Sequence, residues 1–194
     1  MKKLLTIKHW QLFLLLIIVP AVIQIAGIIS IEIIQNSSFF INAFPVMMIA
    51  VVGIFMGWLY TLGTNLYHKL PSDSGLHLKT FKIFVLIPAF YMIGISLFML
   101  ALTKGAIPHV NPFIFLFILP LHLGSMFCIC YSLYFIAKAL KAVEMQRRAR
   151  FGDYIGEFFL LWFFPVGVWI LQPRINKIFG AAADGYEIAS DSVY

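Results

Sequence analysis

The chain has 194 residues, of which 62% are hydrophobic and only 11% charged. A soluble domain of this length carries about 25% charged residues, so the shortfall leaves too little charge to cover a water-facing surface. The net charge of +6 does not indicate nucleic acid, because the basic residues stand at the ends of apolar runs, the pattern that orients a protein in a membrane.

Lys2, Lys3 and Lys8 precede an apolar run that begins like a secretory signal. The run continues to Ile34, and no small residues are spaced for cleavage, since Gln24 stands two positions before Ala26. A retained first span is expected. About 20 apolar residues are needed to cross the hydrocarbon core. Four stretches meet that length: residues 10–34, 44–67, 80–102 and 112–140. Helices are expected because a spanning segment must satisfy its own backbone hydrogen bonds, and the alternation of a barrel strand is missing. The connections are short. Residues 35–38 form a polar turn, residues 68–79 hold Pro71, Ser72, Asp73, Ser74 and Gly75, and residues 103–111 hold Gly105 and Pro108. Short connections make successive helices antiparallel.

Lys and Arg positions predict the orientation. With the amino terminus in the cytoplasm, the inner regions carry Lys2, Lys3 and Lys8, then Lys69, Lys79 and Lys82, then Lys138, Lys141, Arg147, Arg148 and Arg150. The two outer loops carry only Lys104.

Several residues inside the spans bear on packing or chemistry. Gly53 and Gly57, four apart on one helix face, form a helix-packing seam, either to another span of the same chain or to a second copy. Pro20, Pro88, Pro120 and Pro165 favour kinks, which shape a bundle or open a cavity. Cys128 and Cys130 point to different helix faces and are read as reduced packing residues. His122, beside Pro120, is a polar site within the membrane. A bis-histidine haem would need a second His at that depth, and His9, His68, His77 and His109 all lie near span ends or in loops. His68, Asp73 and His77 share one loop, but their spacing matches no short zinc pattern. No metal or cofactor is therefore expected.

Residues 151–180 carry the most information. A single helix over residues 154–171 would reach about 27 Å, a marginal crossing, and would place Arg174 and Lys177 on the outer side, against the charge rule. Folding the segment at Pro165–Val166 sets Glu157 opposite Arg174 and Asp153 opposite Lys177. The apolar centre then dips into the bilayer, and both polar ends return to the cytoplasmic side. A re-entrant hairpin over about residues 153–178 is expected, with a short fifth span as the alternative. An ionisable group at membrane depth is a functional candidate, so Glu157 is either a proton or cation relay or half of a structural ion pair with Arg174.

Residues 138–150 (KALKAVEMQRRAR) continue the fourth helix beyond the membrane. There Lys138, Lys141, Arg147, Arg148 and Arg150 either anchor the topology or contact anionic lipid headgroups. Residues 181–194 form a polar tail, expected to be flexible. The sequence holds no nucleotide-binding glycine loop, HExxH or GxSxG motif, and no paired-carboxylate pattern.

Residues 4–16 (LLTIKHWQLFLLL) and residues 151–176 resemble recurring segments of an uncharacterised family of small bacterial integral membrane proteins. The resemblance covers under a quarter of the chain and implies no activity and no catalytic residue. Taken together, the sequence predicts an all-α polytopic membrane protein. Residues 1–180 form one transmembrane domain, a four-helix bundle closed by the carboxy-terminal hairpin. The expected location is the bacterial inner membrane, with the amino terminus in the cytoplasm. The expected role is that of a non-enzymatic subunit or interaction partner, in contact with membrane lipids and other membrane-protein subunits and not with nucleic acid. The alternatives are a small transporter or channel using Glu157 and the kinked helices, and, behind it, a lipid-active enzyme for which no nucleophile–base pair is visible.

Overall fold

Apolar runs of 20 or so residues keep their backbone hydrogen bonds within one helix, and the chain is built from such runs. A computed structural model describes residues 5, 7–33, 38–71, 74–107, 111 and 113–191, without the side chains of residues 38–40 and 181–191. Among the described residues six helices follow in order. They are α1 (His9–Glu32), α2 (Ser38–Tyr67), α3 (Leu78–Thr103), α4 (Ile114–Met145), α5 (Phe151–Trp162) and α6 (Phe164–Asp191). The first four each hold a stretch long and apolar enough to cross a membrane, at the places where composition predicted them.

The prolines are accommodated in different ways. In α1 the stretch Leu14–Ile18 is wound as a π-helix, directly before Val19 and Pro20. Pro20 has no N–H to return to the preceding turn, and a wider turn relieves the clash between its ring and the carbonyl behind it. Pro45, Pro88 and Pro120 lie inside α2, α3 and α4.

The chain divides into two compact units. One comprises the described residues of Leu15–Tyr60 and His77–Ser132. Its buried side chains include Trp58, Leu59, Phe81 and Val85. The ring of Phe84 meets that of Tyr131 at 4.6 Å between centroids, and Lys82 Nζ sits 5.8 Å from the Tyr60 ring centroid. Much of this unit's surface is apolar. Phe113, Phe115, Leu116, Phe117, Leu119 and Phe127 are all exposed, which leaves the first half of α4 with apolar side chains on every side.

The other unit comprises the described residues of Met1–Leu14, Thr61–Leu76 and Leu133–Tyr194. Leu12, Leu62, Leu66, Phe135, Leu140 and Leu171 are fully buried in it. Helix α4 ends at Gln146, whose φ of 50° lies in the left-handed region that costs a side chain roughly 1–2 kcal/mol. Its amide donates to the Val143 carbonyl at 2.7 Å, which offsets part of that cost and occupies a carbonyl at the helix end. The chain then reverses into α5. There the Asp153 carboxylate accepts the Arg150 backbone N–H at 2.9 Å, the third-position half of a capping box.

Helices α5 and α6 pack against each other, and the first turn of α1 packs on α6. The break falls at Phe163, with φ −88° and ψ 57°, ahead of the Pro165–Val166 fold expected from sequence. Pro165 instead occupies the second position of α6, where a missing N–H costs no helical bond. The N–H groups of Val166 and Gly167 both donate to the Phe163 carbonyl, at 3.0 and 2.9 Å. Gly167 lets the two helices meet, because a β-carbon there would overlap the backbone carbonyl of Leu160. That neighbour is main chain and cannot rotate away. Replacement Gly167→Ala is therefore expected to lower stability by about 2–3 kcal/mol, read as a reduced unfolding midpoint in mild detergent, whereas Gly156→Ala, which meets nothing within 4 Å, leaves the midpoint the same or raises it, since alanine favours a helix over glycine.

Candidate functional site

Charge is concentrated where α4, α5 and α6 come together in the second unit described above. On α4, Lys141 and Glu144 are one turn apart and share a face, with Nζ 3.9 Å from Oε2. Glu157 on α5 is only 7% exposed, and its Oε1 accepts from Lys141 Nζ at 3.1 Å and from Arg174 Nη2 at 2.9 Å. Arg174 on α6 also donates through Nε and Nη2 to the two oxygens of Glu144, at 2.8 and 2.5 Å. Two cations and two carboxylates thus close into one network. Burial alone would raise the Glu157 pKa, but the bonds from Arg174 and Lys141 hold it below the ordinary value. Arg174 is held more firmly protonated by Glu144, against its own desolvation.

The hairpin pairing read from sequence survives in one half and changes in the other. Glu157 and Arg174 meet. Asp153 does not reach Lys177, which lies exposed on α6; it takes Arg147 instead, at 3.2 and 3.4 Å through two guanidinium nitrogens. The turn at Gln146 brings Arg147 back over the start of α5, and a partner six residues away needs no long-range placement. The bond from the Arg150 backbone, set against slight desolvation and aided by Arg147, keeps the Asp153 carboxyl below its usual range.

The five basic residues assigned from sequence to lipid headgroups separate into two sets. Lys141 belongs to the Glu157 network. Lys138, Arg147, Arg148 and Arg150, with Ala149, Phe151 and Tyr154, line an open groove of about 680 Å³. Lys138 Nζ lies 3.2 Å from the Tyr134 hydroxyl, and the Tyr134 and Tyr154 rings are edge-to-face at 5.5 Å.

Sequence reasoning missed the clamp that holds the amino-terminal segment. Gln172 on α6 is 0% exposed, and its side-chain nitrogen reaches the carbonyls of Leu5 and Ile7 at 3.2 and 3.1 Å and the Asn176 side-chain oxygen at 3.1 Å. Asn176 donates in turn to Ile7 at 3.2 Å. His9 and Phe13 lie against Trp169, at 4.8 and 5.5 Å. Two amides four residues apart in an apolar helix were the available signal, since a buried amide must find partners. Lys69 fastens another segment by donating to the Ile178 carbonyl at 2.8 Å, with its charge 4.9 Å from the Phe179 ring centroid.

Elsewhere the candidates are less engaged. His122 is exposed, with Nδ1 3.2 Å from the Tyr91 hydroxyl. A β-carbon on Gly53 or Gly57 would meet nothing within 4 Å, so neither glycine is needed to make room for a described neighbour. Cys128 and Cys130 are free thiols. Among the described residues no three His, Cys, Asp or Glu side chains converge; Asp73 of the loop triad lies outside the described residues.

Breaking a fully buried ion pair costs about 3–5 kcal/mol, and the cost here is smaller because Lys141 and Arg174 keep 27% and 30% of their side-chain surface exposed. Glu157→Gln retains one acceptor oxygen, and Glu144 still faces Arg174, so a loss of about 2–3 kcal/mol is expected, measured by chemical denaturation in detergent. A folded protein of undiminished stability would exclude the structural role. A carboxyl held below its ordinary value stabilises the fold above that value and gives the stabilisation up as pH falls through the folded pKa. With ordinary values of 4.5 for Glu157 and 3.8 for Asp153, the melting temperature should drop as pH falls below about 4.5, with a shallower slope in Glu157→Gln.

No family model matches the chain, and no curated protein and no solved structure matches it.

Proposed function

We propose that the chain is a multi-pass protein of the bacterial inner membrane, with its amino terminus in the cytoplasm, and that it works there as a non-enzymatic subunit or interaction partner. The observation that carries this reading is the cover its spans lack. Only 11% of the most apolar stretch of Ile114–Met145 and 17% of that of Leu78–Thr103 is buried. Lipid accounts for part of that surface, and the helices of another membrane protein account for the rest. The charges, by contrast, are gathered at one place and satisfy one another, as in a structural support. A carboxylate already shared by two cations is a poor proton relay, which weighs against the transporter or channel alternative.

Helices α5 and α6 support a re-entrant hairpin. Phe159, Trp162, Phe163, Val166, Trp169 and Ile170 are exposed around the break, while Asp153, Glu157 and Arg174 lie toward the opposite end. Such a hairpin enters the hydrocarbon with its apolar tip and leaves its charged base at the headgroups. Each arm of about eleven residues reaches roughly half the membrane thickness.

Crosslinking in membranes followed by purification in mild detergent is expected to recover the chain joined to a second membrane protein. A chain that remains alone would remove the subunit reading. Cation or proton flux into reconstituted vesicles, abolished by Glu157→Gln, would replace it with the transporter. Topology is checked with Ser190→Cys in a background lacking Cys128 and Cys130. Labelling only from the cytoplasmic face is expected, and labelling only from outside would establish a fifth crossing.

A further inference from the structure

We propose that the groove lined by Lys138, Arg147, Arg148, Arg150, Phe151 and Tyr154 binds the phosphate of an anionic phospholipid headgroup. The inference deepens the membrane reading above and rests on it.

Charge favours an anion in the groove. Four cations line the groove, and one carboxylate, Asp153, stands beside it. Asp153 is spent on Arg147, with which it makes a two-point contact at 3.2 and 3.4 Å. Among the described residues Lys138, Arg148 and Arg150 form no salt bridge, and although the charge of Arg150 also acts on Asp153, one carboxylate cannot balance four cations, so the groove carries a net positive charge. By contrast Lys141, nearby on α4, is neutralised by Glu144 and Glu157. Three cations held around one open depression repel one another, and a bound anion relieves that repulsion.

Side-chain chemistry narrows that anion to a phosphate. The arginine fork matches two oxygens of a phosphate, and lysine supplies a compact charge beside it. Lys138 is half-buried and oriented by the Tyr134 hydroxyl at 3.2 Å, so its ammonium is partly ordered before any ligand arrives. A volume of about 680 Å³ exceeds the needs of a bare phosphate and suits a headgroup with its glycerol.

Position selects a lipid over a free anion. The groove lies where α4 runs out of its apolar stretch and where α5 begins the proposed hairpin, at the level of the headgroups. One wall is the ring of Phe151, which is 67% exposed. A free phosphate would leave that ring in water, whereas the upper acyl chain of a bound lipid would cover it. Tyr154 has the apolar body and polar tip favoured at a membrane interface.

The test compares the intact protein with K138Q/R148Q/R150Q, which spares Arg147 and its contact with Asp153. Both are reconstituted into phosphatidylcholine vesicles containing a minority of phosphatidylglycerol. Co-flotation reports insertion, and mass spectrometry of lipid retained after detergent extraction and washing reports the site. Both proteins are expected to float. The intact protein should retain phosphatidylglycerol in preference to phosphatidylcholine, and the triple variant should lose that preference, at about fivefold in affinity per charge removed. Single variants R148Q and R150Q, each expected to weaken retention about fivefold, keep the test decisive if the triple variant fails to fold. Flotation without enrichment of the anionic lipid would overturn the headgroup site and leave the membrane reading standing. Failure of the intact protein to float would overturn both. Inorganic phosphate binding the detergent-solubilised protein as tightly as the lipid does would overturn the lipid assignment in favour of a free-anion site.

Discussion

A carboxylate buried among apolar side chains has to find positive charge, and in this protein the need of Glu157 organises three helices. Lys141 comes from α4 and Arg174 from α6, each within about 3 Å of the same oxygen, while Glu144 returns the balance by holding the other edge of Arg174. None of these side chains can move far without stranding a neighbour in a poorly solvated place. The network thereby sets how α5 lies against α4 and where along α6 it ends. Gly167 completes the arrangement from the other side, since only a residue without a β-carbon lets the Leu160 carbonyl come so close. Attraction at the charged end and close approach near the break together define the α5–α6 pair.

The same pair also ties down the amino-terminal segment. Gln172 and Asn176 offer buried amides to the carbonyls of Leu5 and Ile7, which precede α1 and so have no helical donor of their own. Trp169 supplies the apolar contact to His9 and Phe13. In lipid, helix association gains little from hydrophobicity and depends on packing and polar contacts. Polar contacts tie α4, α5, α6 and the amino-terminal segment of this unit to one another. The remaining unit has a wide apolar surface, the property expected of helices whose neighbours are lipid or another protein.

Much of the architecture was legible in composition. The four apolar helices were readable because runs of 20 or more uncharged residues have few alternatives. The contact between Glu157 and Arg174 was legible too, because one fold in a short segment sets its acidic arm, with Asp153 and Glu157, against its basic arm, with Arg174 and Lys177. Three features were not. The break moved ahead of Pro165 because proline is tolerated in the first turn of a helix, so its presence dates the start of α6 and not the end of α5. Asp153 chose Arg147 over Lys177 because a left-handed residue, Gln146, reversed the chain nearby, and nothing in the glutamine side chain announces that conformation. Lys141 looked like one more basic residue in a cationic stretch, and only its place beside Glu157 separated it from Lys138 and the arginines.

The sequence by itself determined that the chain is helical, which stretches are apolar enough for a membrane, and where positive charge gathers, since each follows from local composition and the cost of exposing charge or backbone to hydrocarbon. Tertiary structure alone decided which cations Glu157 shares, which glycine permits contact between α5 and α6, and which basic residues are left unpaired around the groove. Those outcomes depend on how the breaks at Gln146 and Phe163 set one helix against the next, and a sequence specifies such distances only through the fold.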